Sequence, residues 1–226
     1  MSASNEAAQQ DVMVGWVAPA MCHSRFAASL GELMWTESTR RRIGNSVYVP
    51  SGPQVSAART SLVDRFLASA LTWLLMLDSD MTFTPDDMYR LLDSADAQQR
   101  LVVGAMYRST GQDIGIANLE CGWFDDDHPT GALLPNPETA RGLIPVDFVG
   151  AGAMVVHRTV FERVAQDNPR PQPWFQEVVR HGRVDGNDYE FCRRVTAAGI
   201  PIHLNADVRL GHIKPVVVRA EGLTPR

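Results

Sequence analysis

Trp73-Leu74-Leu75-Met76-Leu77-Asp78-Ser79-Asp80 decides the fold. Five apolar residues without a polar interruption suit a strand covered on both faces by helices, as in a parallel sheet. The run then stops at once on two carboxylates. Residues two apart in an extended segment project to the same side, so Asp78 and Asp80 can face one ligand. They stand just past the carboxyl end of the strand, where open α/β sheets hold their ligands. Hard carboxylate oxygens suit Mg²⁺ or Mn²⁺, and such a cation would neutralise a diphosphate.

Upstream, Val12 to Val17 reads as a first buried strand ending at Ala18-Pro19-Ala20. A helical pattern follows from Ser24 to about Trp35, with Phe26, Leu30, Leu33 and Met34 on one face. Val47-Tyr48-Val49 is a short strand closed by a Pro/Gly loop. Val55 to Ala70 is a helix striped by Leu62, Val63, Phe66 and Leu67. Downstream, Thr84 caps a helix whose first turn holds Pro85, Asp86 and Asp87. Leu101 to Gly104 is a further buried strand. From Ser109 to Pro145 the chain is rich in Gly, Pro, Asn and Asp, with Asp125-Asp126-Asp127 inside, which reads as irregular structure or an inserted edge hairpin. Val146 to Val156 is a strand interrupted at Gly150-Ala151-Gly152, followed by a short helix from Arg158 to Ala165. A helix from Asn187 to Ala198 has Asn187-x-x-Glu190 as its expected capping box and Gly199 as its stop. Ile200 to Leu204 is the last strand. Strands alternating with helices, without a linker, give an α/β fold in one domain over residues 11–215, behind a polar leader (1–10) and before a short tail (216–226).

Composition removes whole classes of function. The 226 residues are 45% hydrophobic and 21% charged, an ordinary globular balance, and Gly 17 and Pro 14 are too few for low complexity. The longest apolar run, Ala70 to Leu77, is far short of the roughly 20 residues of a spanning helix, so no membrane span is expected. The first residues lack the layout of a signal peptide, which points to the cytoplasm. A net charge of −5 offers no global attraction to nucleic acid or anionic lipid, and Arg40-Arg41-Arg42 reads as a solvated helix end. Cys22, Cys121 and Cys192 have no CxxC spacing, which fits reduced thiols and no structural zinc. Lys214 is the only lysine in the chain, and it follows none of the glycine-rich or strand patterns of a P-loop or a kinase.

Other residues extend the acidic doublet. His212, in Leu210-Gly211-His212, is a candidate further ligand to a dicarboxylate site. Asp185, Asp188 and Glu190 gather acids before and into one helix, where one could act as a general base or all could serve the helix dipole. Gly150 and Gly152 bracket either a close approach of backbone to ligand or a bulge. Trp174-Phe175 is a stacking platform for a sugar face or a piece of core. The run Asp78 to Thr82 also fits the DxDxT pattern of haloacid-dehalogenase-like phosphatases, with Asp78 as nucleophile; the lysine that fold needs before its final acidic motif is missing.

Taken in order, these stretches resemble the GT-A glycosyltransferases, particularly family-2-like enzymes and the short ones common in bacteriophage genomes. Ala57-Ala58-Arg59 with Leu74 to Asp80 looks like that family's helix and DxD strand. Phe148-Val149-Gly150-Ala151-Gly152-Ala153-Met154 looks like its glycine-bearing strand beside the donor sugar. Asp185-Gly186-Asn187-Asp188-Tyr189-Glu190-Phe191-Cys192 looks like its "EDxxFC" helix start, and Gly211-His212 like its late metal-ligand histidine. The similarity spans roughly Val12 to Pro215.

The resemblance implies a GT-A-like, mostly parallel sheet flanked by helices. It implies an enzyme that moves a sugar from a UDP- or GDP-sugar to an acceptor hydroxyl with Mn²⁺ or Mg²⁺; direct displacement would invert the anomeric carbon, and an Asp188 that only orients the acceptor leaves a retaining outcome open. Pro19, Arg59, Asp78, Ser79, Asp80, Gly150, Ala151, Gly152 and Lys214 would hold the donor; Asp78, Asp80 and His212 would bind the metal; Asp188 would deprotonate the acceptor; Trp174 and Phe175 would face it. The acceptor could be a protein, a glycan or a modified DNA base. Asn187 departs from the pattern, standing where the family carries glutamate. Two rivals stand beside this reading: an inactive nucleotide-sugar-binding module, and a nucleotidyltransferase. Against the second, Ala18 to His23 lacks the glycine-rich, basic loop that such enzymes carry.

Overall fold

The computed structural model describes residues 10–110, 117–119, 121–124, 132–134, 136–180 and 182–214. The expected leader up to residue 9, the Asp125-Asp126-Asp127 run and the tail from Pro215 lie outside the described residues. The chain runs β1 (Val12–Ala18), α1 (Ser24–Arg40), β2 (Ile43–Pro50), α2 (Val55–Leu67), β3 (Trp73–Asp78), β4 (Met81–Thr82), α3 (Pro85–Ser94) and β5 (Val102–Met106). The region read as irregular holds β6 (Arg108–Thr110), β7 (Ala117–Leu119), β8 (Cys121–Trp123) and β9 (Ala132–Leu133). Then come β10 (Leu143–Val146), β11 (Phe148–Val149), β12 (Ala153–His157), α4 (Arg158–Asp167), β13 (Val178–Arg180), β14 (Arg183–Asp185), α5 (Asn187–Ala197), β15 (Ile202–Arg209) and β16 (Gly211–His212).

Seven strands form the central sheet in the order β10-β15-β5-β12-β3-β1-β2. Strands β2, β1 and β3 run parallel, as do β5 and β15, while β12 lies antiparallel between β3 and β5 and β10 lies antiparallel on the edge. The expected mostly parallel α/β sheet is present. Strand β3 shows why its sequence is unbroken: Leu74 and Met76 enter one core with Phe66, Phe161 and Phe191, while Trp73, Leu75 and Leu77 enter the other with Phe26, Leu33 and Met88. Alternate residues thus serve opposite faces, and both faces are dry. Gly15 in β1 is demanded by packing, because a Cβ there would lie 2.6 Å from Leu62.

Three local expectations are corrected. Helix α1 continues to Arg40, because Glu37 is buried and its Oε2 accepts from Arg42 N (2.8 Å) and Ile43 N (2.9 Å), tying the helix end to β2. Met34, expected on the apolar face, is exposed. In α5 the N-cap is Gly186, with no side-chain cap; Asn187 is the first helical residue, so its expected capping box with Glu190 does not form. At α3 the Thr84–Asp87 capping box is made in full. Gly199 ends α5 at φ +69° and Arg41, the residue after α1, sits at φ 55°, as a helix stop and a solvated helix end require. All three cysteines are free thiols.

Candidate functional site

The topology sends separate stretches to one edge of the sheet. Strand β3 ends at Asp78, and Asp78 N donates to Gly152 O (3.0 Å), because antiparallel β12 begins where β3 finishes. Strand β15 runs parallel to β5 and ends beside it, with Arg209 opposite Met106. The chain then turns into β16, which pairs with β4 so that His212 stands opposite Met81, while Ile213 N donates to Asp80 O (2.7 Å). The doublet, the glycine turn and the late histidine, far apart in sequence, therefore share one place.

At that place Asp80 Oδ2 lies 3.0 Å from His212 Nε2 and accepts from Lys214 Nζ at 3.0 Å. His212 Nδ1 faces the carbonyl of Arg108 at 2.9 Å. A carbonyl only accepts, so Nδ1 carries a hydrogen. Nε2 then meets the carboxylate either with a second proton or with a cation between them. Burial works against charge on both groups, yet their mutual contact prevails: the carboxyl of Asp80 is drawn down to about 2, and the imidazole of His212 is raised above its ordinary value. A carboxylate and a correctly oriented imidazole fit a divalent cation that keeps its other positions for phosphate oxygens and water.

Asp78 takes another role. Both its oxygens accept from Arg59 Nη2 at 2.8 Å, and Arg59 is 5% exposed. Its Nη1 reaches Asn187 Oδ1 at 2.5 Å, and Asn187 Nδ2 donates to Glu177 (3.0 Å). Burial opposes the guanidinium's charge, but Asp78 outweighs it and holds Arg59 above its usual value. The three expected metal ligands do not converge: among the described residues no three His, Cys, Asp or Glu side chains form a cage. Asp78 is instead paired with Arg59, whose Nη2 meets both carboxylate oxygens. The same pairing occupies the oxygens that a phosphatase nucleophile would need free.

The glycine turn meets α5. Asp188, half-buried in the first turn, accepts from Ala151 N at a long 3.4 Å and from Tyr189 N at 3.0 Å. Asp185 and Glu190 are sealed instead: Arg180 reaches Asp185 at 3.3 Å and Glu190 at 2.6 Å, and Arg194 reaches Glu190 at 2.8 Å. Gly152 is fixed by Tyr107, whose hydroxyl accepts from Gly152 N (2.9 Å) and whose ring would lie 2.6 Å from an added Cβ. The same ring meets His212 edge-on at 5.2 Å. Sequence reading missed Tyr107; its position directly after the buried strand β5, at the sheet edge shared with the doublet, was the available signal. Gly150 is buried beside the turn, Ser79 is half-buried in the doublet, and Pro19 is exposed after β1, where its carbonyl lies 3.4 Å from Tyr48 Oη.

Trp174 and Phe175 are corrected. They are 1% and 0% exposed, Trp174 Nε1 donates to Phe161 O (2.8 Å), and Phe175 stacks on Phe191 at 4.7 Å. They are core, so no acceptor can reach them.

No family model and no curated protein matches the chain by sequence. Solved structures do. The crystal structure of A197 from STIV superposes with TM-score 0.53 at 13% identity, over 92% of this chain and 96% of that one. GalNAc-T7, crystallised with UDP, GalNAc and Mn²⁺, superposes with TM-score 0.59 at 11% identity, over 91% of this chain. The fold is GT-A-like. The chain spans only 43% of the length of GalNAc-T7. No helix among the described residues is long and apolar enough to cross a membrane.

Proposed function

We propose that this GT-A-like protein is a glycosyltransferase that moves a sugar from a nucleoside diphosphate donor, a UDP- or GDP-sugar, to an acceptor hydroxyl. The observation that carries the reading is the meeting of Asp80 and His212 at the strand-end edge, with the imidazole held by the Arg108 carbonyl in the orientation a ligand needs. The structural neighbour GalNAc-T7 was crystallised with UDP and Mn²⁺, which supports a divalent cation and a nucleotide donor for this reading. Bound there, Mn²⁺ or Mg²⁺ would supply Lewis-acid neutralisation of the diphosphate.

The chain's own residues do the rest. Asp80 and His212 would hold the cation, and Lys214 would add a positive charge for the leaving nucleotide. Arg59 bridges Asp78 and Asn187 and so fixes the start of α5 relative to the doublet. The backbone at Ala151 and Gly152 borders the place of the transferred sugar, where a side chain at residue 152 would meet Tyr107. Asp188 accepts the proton of the attacking hydroxyl, and direct displacement then inverts the anomeric centre. Pro19 and Ser79 line the donor side.

Calorimetry of UDP and of GDP with Mn²⁺ tests the reading. One of them binds, Asp80→Ala lowers the affinity by about 100-fold, and EDTA does the same. Equal affinity with and without EDTA would remove the cation from the site. Binding of a nucleotide sugar with no hydrolysis or transfer would favour the inactive module.

A further inference from the structure

Lys214 is the only lysine of the chain, and its ammonium lies 3.0 Å from Asp80 Oδ2, the oxygen that His212 Nε2 also faces at 3.0 Å. A divalent cation held by Asp80 and His212 must be reached by both atoms, so it enters the space those contacts now fill. A cation and an ammonium on one carboxylate oxygen repel strongly at such separation. One of them has to leave.

The lysine is built to do so. Its backbone neighbour is fixed, since Ile213 N donates to Asp80 O and His212 pairs with Met81 across β16 and β4. The side chain is 31% exposed, and its single hydrogen bond among the described residues is to Asp80. A flexible four-carbon stem on an anchored strand end can swing several ångströms without disturbing the fold.

We propose that Lys214 is the resident counter-cation of this site: it neutralises Asp80 before a divalent cation arrives, is displaced by it, and is transferred to the diphosphate of the donor. The idea rests on the cation site of the proposed function and adds an exchange to it. Divalent cation and lysine compete for Asp80 in the free protein and cooperate once a diphosphate is bound. Loading with cation alone is therefore discouraged, and donor and cation bind best together.

Removing the ammonium must act with opposite signs in two titrations. Lys214→Met is expected to bind Mn²⁺ alone about tenfold more tightly than the wild type, and to bind UDP or GDP at saturating Mn²⁺ about tenfold more weakly. Lys214→Arg, which keeps the charge, should stay close to the wild type in both. Mn²⁺ affinity that is unchanged or weaker in Lys214→Met overturns the exchange, as does unchanged or tighter nucleotide binding. Asp80→Ala separates the two ideas. If it abolishes Mn²⁺ binding while Lys214→Met leaves that binding unchanged, only the exchange fails. Mn²⁺ binding that ignores Asp80→Ala, or none in the wild type and none in Lys214→Met with or without nucleotide, removes the cation site and the exchange with it.

Discussion

Two clusters of acids, the doublet after β3 and the group around the start of α5, look alike in sequence and differ in what their arginines leave available. At the doublet, Arg59 takes both oxygens of Asp78, while Asp80 is 40% exposed at its side chain and, among the described residues, pairs with His212 and Lys214. At α5, Arg180 and Arg194 close over Glu190, and Arg180 and Arg193 over Asp185, both acids being almost wholly buried. Asp188 is left half-buried against the backbone of Ala151. In each cluster one acid stays partly open, and the rest are held by arginines. A buried carboxylate needs a partner to stay charged, and one enclosed by a guanidinium is a poor ligand or base.

Three substitutions along one turn of α5 can break that contrast. The largest effect is expected for Asp188→Asn, which should cut sugar transfer by about 10²- to 10⁴-fold, the usual share of a general base. Its donor affinity and thermal midpoint should stay near those of the wild type. A variant that keeps full turnover would return Asp188 to the structural side. Next comes Glu190→Ala, which strips Arg180 and Arg194 of their buried partner and should cost about 3 kcal/mol in urea unfolding. Nucleotide affinity in the fraction still folded should be unaffected. A loss of binding without a loss of stability would show that the two clusters had been sorted wrongly. The smallest is Asn187→Ala, which removes one hydrogen bond to the buried guanidinium and should cost about 1.5 kcal/mol. It should also loosen the tie between doublet and helix, read as a lower kcat with an unchanged donor KM. Should kcat hold while stability falls, Asn187 is a structural link only.

Much of the frame was open to a reader of the chain. An eight-residue stretch, apolar for five positions and then acidic, located β3 and the sheet edge at its carboxyl end, because a strand dry on both faces leaves no polar alternation and ends where water returns. The Thr84-Pro85-Asp86-Asp87 start of α3 and the Gly199 stop of α5 were legible because capping is local chemistry. Asn187 shows the limit of such rules: the spacing fits a capping box, but the side chain is drawn to Arg59 and Glu177, and Gly186 becomes the cap. Trp174 and Phe175 show another. Aromatic residues in a Pro-rich loop read equally as a platform or as core, and only the arrival of Phe161 and Phe191 beneath them decides for core.

The amino-acid order alone determined the layered α/β class, the strand end at which the acidic doublet stands, and which residue types lie there, since these follow from periodicity, local caps and the solvation of charge. It could not say which acids stay available, because that depends on Arg59, Arg180, Arg193 and Arg194 finding carboxylates by tertiary packing. Nor could it foresee Tyr107 bridging the glycine turn and His212, or Lys214 folded back onto Asp80. Charge pairing falls off within a few ångströms in a solvated protein, so contacts of this kind exist only once the sheet order has brought their partners together.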